Sequence, residues 1–311
     1  MKNNNKVIFA GIVFVIVVIA ALIFGLGAKL LKQASIIPEK SLEEMLENVT
    51  VTEATPVKGS VSLGNSSLYD ELPEIDKYPL QVTGNADIVL EVFSSGEKAG
   101  SEYESWLIDV ANNFNNSGVT TQSGKSVAVS VRQVSSGMGA DYIISNKYLP
   151  DLYTPSNELF GKYVETNGGA IEVVKDRLVG NTAGILVDKS KGYGSLSEVA
   201  DAVAANKMNL GYTNPQTSAS GLNFLISILK NYDANNMLSD TAGQKFSDFQ
   251  NNIPFVAFTT MQMRDSAKNG TLDGMIMEYQ TYINEEDLEG KYDFIPYGIR
   301  HDNPLYGVSS K

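Results

Sequence analysis

The chain has 311 residues, enough for two lobes, and carries 24 Lys and Arg against 36 Asp and Glu, a net charge of −12. That acidity excludes a nucleic-acid partner, because nothing would neutralise the phosphates. With no cysteine there are no disulfides, thiolate metal sites, cysteine nucleophiles or thioether lipid anchor, and the single histidine, His301, cannot build a multi-histidine centre, so neither metal nor cofactor is expected.

Lys2 and Lys6 precede an uncharged apolar run over residues 7–28, and Lys29 and Lys32 follow it. At helical rise this run covers about 33 Å, enough for a bilayer core and longer than the apolar part of a cleavable signal peptide. Residues 1–38 therefore read as a transmembrane signal anchor. Cleavage near the small residues Gly25, Gly27 and Ala28 is the alternative. The N-terminus is expected inside, with the rest of a single-pass cell-membrane protein extracytoplasmic. Ser41 and Glu44 are spaced as a capping box for a short acidic helix. Residues 50–84 then turn to Ser, Thr, Asn, Pro and acid, so 39–85 read as a stalk or linker with little core of its own.

From residue 86 onward, apolar strands alternate with amphipathic helices, the pattern of parallel α/β structure covered on both faces. A strand over 88–93 runs into Ser94-Ser95-Gly96 and a helix over 102–115. A second, over 127–134, runs into Ser135-Ser136-Gly137 and another helix. A third, over 149–154, ends in Pro155-Ser156-Asn157. Residues 183–188 form a further strand, and Ser195 to Ala205 a capped helix. The stretch 209–213 then reads as a short buried strand, stopped by Asn214-Pro215. Leu222, Leu225, Ile226 and Leu229 recur at helical spacing behind it. A helix over 242–251, a strand over 254–258, a helix capped by Thr259 or Thr260, and a strand over 272–277 ending at Glu278-Tyr279 follow. Residues 292–297 read as the last strand, with only a polar tail after it.

The turn from Asn214 to Gly221 is rich in hydroxyls and amides and lies where a helix leaves its first N–H groups without intrahelical acceptors. Ser218 or Ser220 capping the helix is the plain explanation of one such turn. Three strand-Ser/Gly-helix units in one chain point instead to strand ends that converge on a common crevice. A sheet interrupted by a second α/β unit and then resumed gives lobe 1 as 86–180 plus 280–311 and lobe 2 as 181–279, with crossings near 178–183 and 279–284.

In the order of these turns, with Asp151-Leu152-Tyr153-Thr154-Pro155-Ser156-Asn157, Thr213-Asn214-Pro215 and Leu272-Asp273-Gly274 leading to Glu278-Tyr279, the chain resembles the type II extracytoplasmic solute-binding proteins of bacterial ABC importers. The resemblance spans roughly residues 87–300. It is nearest the branch that holds molybdate-, sulfate- and phosphate-binding proteins, in a membrane-anchored Gram-positive version. It implies a two-lobe, periplasmic-binding-protein-like α/β clamp with two hinge crossovers and no enzymatic activity. A small ligand, an oxyanion first, would be held between helix N-termini of both lobes. Carried over, the contacts are Ser94, Ser95, Ser135 and Ser136 from the first lobe, Asn214, Ser218, Ser220 and Gly221 from the second, and Tyr279 at the hinge side. Arg132 adds charge or sits at a solvated strand edge. The implied partners are the small molecule and an ABC permease or another envelope membrane protein. A sensor or envelope-organising protein that keeps the fold without transport is the rival reading.

Other motifs lead nowhere. Ser227-Ile228-Leu229-Lys230 has S-x-x-K spacing without a K-T-G or S-D-N companion. Gly124-Lys125-Ser126 lacks a glycine at the spacing a phosphate loop needs. Asp273 and Glu278 read as a turn residue and a hinge contact rather than as an acid and a base.

Overall fold

A computed structural model describes residues 67–100 and 104–309. The expected anchor, the short acidic helix, the stalk up to residue 66 and the expected helix start at 102 lie outside the described residues. Among the described residues, no helix is long and apolar enough to cross a membrane.

The first sheet grows from β2 (Ile88–Ser94) and β3 (Val127–Gln133), which pair in parallel from Ile88 opposite Val127 to Ser94 opposite Gln133. Helix α2 (Gly96–Ala99) follows β2, and α3 (Trp106–Asn116) packs on β3. Helix α4 (Ser136–Ser145) then returns the chain to β4 (Leu152–Thr154), parallel to β2 on its other side. Helix α5 (Glu158–Thr166) and β5 (Ile171–Lys175) complete this part, and neither was expected from the sequence. The second sheet holds β6 (Asn181–Asp188), β7 (Leu210–Thr213), β8 (Phe255–Ala257), β9 (Gly274–Glu278) and β10 (Tyr292–His301). Its helices are α6 (Leu196–Ala204), α7 (Ala219–Tyr232), α8 (Asp240–Gln250), α9 (Thr260–Lys268), α10 (Tyr279–Ile283) and α11 (Glu286–Lys291).

The strand orders are β1-β3-β2-β4-β11-β5 and β10-β6-β9-β7-β8, where β1 is Leu80–Val82 and β11 is Leu305–Val308. Leaving β1 aside, both sheets follow one plan. A first strand lies between its parallel second and third, and next to the third comes an antiparallel strand that has crossed from the other sheet, β11 in one and β6 in the other. The chain thus crosses twice, over 176–180 and over 302–304.

Three expectations are corrected by this topology. The second crossing lies at 302–304 and not at 279–284, because β10 pairs with β6 from Tyr292 opposite Asp188 to His301 opposite Asn181. Residues 280–301 therefore stay with the second sheet. The polar tail contains β11, which enters the first sheet between β4 and β5 and buries Tyr306. Residues 67–85 belong to the first lobe: α1 (Leu68–Glu71), a 3-10 turn (Ile75–Lys77) and β1 form a strap on it. Leu72 and Val82 are buried there, the Tyr142 hydroxyl donates to Pro73 O at 2.7 Å, and Lys147 donates to Leu72 O at 2.6 Å. Arg132 is not a solvated edge residue: it pairs with Glu91 at 2.6 Å and donates to Tyr78 O.

Both faces of each sheet are covered over its central strands, as near-continuous apolar strands require, while the edge strands β5 and β8 stay largely exposed. On β6, Ile185 and Val187 enter one cluster with Phe224, Ile228 and Phe249, while Leu186 enters the opposite one with Met263, Met275 and Tyr292. In the first lobe Phe93, Tyr142, Tyr153, Phe160 and Val164 fill one side, and Val82, Ala99, Ala111 and Val131 the other. Each such large side chain contributes about 1.5–3 kcal/mol by leaving water.

Candidate functional site

In both sheets the carboxyl ends of parallel strands run into hydroxyl-rich turns that open helices. β2 leads through Ser95 to α2, β3 through Ser135 to α4, and β4 to Ser156. From the second sheet, β7 leads through Thr217 and Ser218 to α7, β8 through Thr259 to α9, and β9 ends at Glu278. These ends line one narrow cavity of about 30 Å3, walled by Ser95, Glu97, Ser135, Ser136 and Ser156 on one side and by Thr217, Ser218, Thr259, Thr260 and Glu278 on the other. That is room for a guest, or the head of one, of only a few heavy atoms. First-turn N–H groups of α4, α7 and α9 lack intrahelical acceptors and make this end of the field positive.

The two sides are drawn tightly together. Gly137 N donates to Thr217 O at 3.0 Å, Asn157 Nδ2 to Ala219 O at 3.3 Å, and Gln280 Nε2 to Glu97 O at 3.2 Å. A Cβ on Gly137 would stand 1.8 Å from Gln216 O, so only glycine permits this approach.

Two carboxylates line the cavity, and each is paired from the protein side. Glu97 accepts from Ser95 Oγ at 2.5 Å, from Lys98 Nζ at 3.0 Å and from the Ser156 hydroxyl. Burial pushes its pKa up, but the Lys98 charge and the three donors outweigh burial and hold the carboxyl at about 2. Lys98 is itself fully buried and also donates to Ser95 Oγ at 2.6 Å and to Asn303 Oδ1 at 2.9 Å. Glu278 accepts from Ser220 Oγ at 2.9 Å and Asn181 Nδ2 at 2.6 Å, and lies 3.0 Å from His301 Nδ1. With Nδ1 donating to Glu278, His301 Nε2 is left to accept from Asn223 Nδ2 at 3.2 Å, which fixes the ring's tautomer.

Residues 99–302, more than half of the chain, match the family model described as bacterial extracellular solute-binding protein. The chain belongs to that family. Its fold is similar to that of the periplasmic binding protein AfuA from Actinobacillus pleuropneumoniae, with TM-score 0.54 at 12% identity over 71% of this chain and 74% of that one. It is also similar to a periplasmic thiamin binding protein, with TM-score 0.53 at 15% identity over 72% and 73%. A third likeness is to a binding protein component of an ABC phosphonate transporter from Pseudomonas aeruginosa, with TM-score 0.50 at 12% identity over 70% and 68%. These likenesses are of the two-lobe, periplasmic-binding-protein-like fold. No curated protein matches the sequence.

Within this solute-binding protein, the residues expected at the site divide into two groups. Ser95, Ser135, Ser136 and Ser218 meet at the cavity. Ser218 also caps α7, accepting from Gly221 N at 3.4 Å, so the plain explanation of that serine and its place on the cavity wall hold together. Ser94, Asn214, Ser220, Gly221 and Tyr279 stand off the lining. The Ser94 hydroxyl turns to Ser95 O, Asn214 closes its own turn by accepting from Gln216 N, and Ser220 is spent on Glu278. A Cβ on Gly221 would meet Thr213 O at 2.0 Å, so that glycine serves close strand-helix packing. Tyr279 is 44% exposed and packs edge-on against Phe294, facing a separate surface hollow.

The sequence reading missed Glu97, Lys98, Ser156, Phe258, Thr259, Thr260 and Glu278 as lining or supporting residues. Thr259 carried a signal, since its helix cap was foreseen, and Pro155-Ser156-Asn157 stood at a recognised strand end. Glu97 and Lys98 carried none, because charged residues beside a turn ordinarily face solvent.

Proposed function

We propose that this protein is the capture component of a bacterial ABC importer. A small solute enters the cleft between the two lobes, the lobes close about the crossings at 176–180 and 302–304, and the closed form is presented to a membrane permease. The single observation that carries this reading is the convergence of hydroxyl-bearing strand ends from both sheets on one buried cavity. The first-turn N–H groups and the hydroxyls of Ser135, Ser136 and Ser218 favour an acceptor-rich guest, an oxyanion above all. The Lys98 ammonium offsets the charge of Glu97, whereas Glu278 has the neutral donors Ser220 and Asn181 and so favours a guest that also brings a donor, such as a protonated oxyanion. The apolar run at 7–28 would keep the protein on the outer face of the cell membrane, within reach of its permease.

Thermal unfolding in the presence of a panel of oxyanions, organic acids and sugars tests this. At least one solute should raise the midpoint in proportion to the logarithm of its concentration. Gly137→Ala, whose Cβ cannot fit beside Gln216 O in the closed form, should reduce that rise by 10-fold or more in apparent affinity. A folded protein that responds to no solute, or a Gly137→Ala variant that responds like the natural chain, would defeat the reading.

A further inference from the structure

The inner cavity does not end at the strand turns. Gly96, Ser135, Thr217, Phe258 and Thr259 belong also to the wall of a larger pocket of about 580 Å3 on the outer side. Its remaining walls include Tyr78, Pro79 and Met138, and Lys77 is the charged residue in its lining. Phe258 is 65% exposed, an aromatic ring held at the junction of the two spaces. Apolar surface of that kind beside a polar site is where an organic guest recovers binding energy.

The outer wall is built rather than incidental. Tyr78 and Pro79 lie on the strap that the composition suggested was stalk, and several bonds fix that strap in place. Arg132 donates to Tyr78 O and to Ile75 O at 3.4 Å, while Tyr142 and Lys147 hold Pro73 O and Leu72 O. A bare inorganic oxyanion would use the inner cavity and leave this preformed pocket to water.

Resting on the reading of the cleft as a ligand site, we propose that the guest has two parts. An anionic head, such as a phosphate monoester, phosphonate or carboxylate, occupies the inner cavity. An apolar or aromatic body lies in the outer pocket against Tyr78, Met138 and Phe258. Lys77 at the rim suits the approach of an anion.

Calorimetric titration of the folded protein with inorganic phosphate and with phenyl phosphate tests the proposal. Phenyl phosphate should bind at least 10-fold tighter than inorganic phosphate. Phe258→Ala and Met138→Ala should each shrink that ratio severalfold, and Ser136→Ala should weaken both probes. Two results would overturn the two-part guest while sparing the cleft: equal binding of both probes with Ser136 dependence, or a preference for phenyl phosphate that neither Phe258→Ala nor Met138→Ala alters. Failure of both probes to bind protein whose circular dichroism shows it folded would overturn the oxyanion reading of the cleft and this inference with it.

Discussion

Glu97 and Glu104 stand close in sequence at the edge of the same lobe, both nearly excluded from solvent, yet their carboxyls shift in opposite directions. Glu97 is held at about 2, whereas burial pushes Glu104 up to about 7. Desolvation opposes the charged form of each, so burial alone does not decide the outcome. The donors do. Glu97 has a neighbouring ammonium and two hydroxyls, all fixed within its own lobe. Glu104 has one hydroxyl, Thr281 at 2.9 Å, and the Arg264 guanidinium at 3.5 Å, both from the second lobe. The first glutamate is therefore satisfied from within its own lobe, and the second by groups that the other lobe brings to it.

The most severe way to break this contrast is Lys98→Met, which strips Glu97 of its cation. Removing one partner of a buried pair costs about 3–5 kcal/mol, and urea unfolding at pH 7 should show a loss of that size. A loss below about 1 kcal/mol would mean that hydroxyls alone satisfy Glu97, and the difference from Glu104 would collapse.

Titrating stability with pH sharpens the contrast. The folded pKa of Glu104 is raised from 4.5 to about 7, so its contribution is complete below about pH 4.5 and is lost as pH rises through 7. Glu97 runs the other way: its pKa is lowered from 4.5 to about 2, so its contribution is present above about 4.5 and is lost as pH falls through 2. Between pH 5 and 8 the natural chain should lose up to about 3 kcal/mol from the Glu104 limb, at 1.4 kcal/mol per pKa unit. Glu104→Gln should flatten that limb and leave the acid limb intact, as read from urea midpoints across the range.

The smallest expected effect is that of Thr281→Val. It removes the one hydroxyl donated to Glu104, costs about 1–2 kcal/mol above pH 7, and moves the alkaline limb to higher pH. An unchanged limb would show that Thr281 plays no part in the linkage.

Legibility followed the range of the interactions involved. Ser195 accepts from Glu198 N at 3.2 Å, and Thr259 accepts from Gln262 N at 3.3 Å, each at the start of a helix expected there. Such caps depend on residues three apart, and strand periodicity on residues two apart, so both are written locally. The strap over 67–85 was lost because its composition is polar; what holds it is long-range, through Tyr142, Lys147 and Arg132. The four residues of β11 were lost because a strand so short has no period to show, and its place is set by β4 and β5 on either side.

By itself the sequence determined the alternation of strands and helices and the hydroxyl turns that end the strands. Tertiary structure alone decided that Tyr279 lies apart, that Ser220 and His301 serve Glu278, and that Glu97 and Lys98 are sealed into the cleft wall. Capping and amphipathic periodicity act between near neighbours along the chain. Burial of a charge becomes tolerable only when distant groups such as Ser156 and Asn303 are brought to it, and that depends on the course of the whole chain.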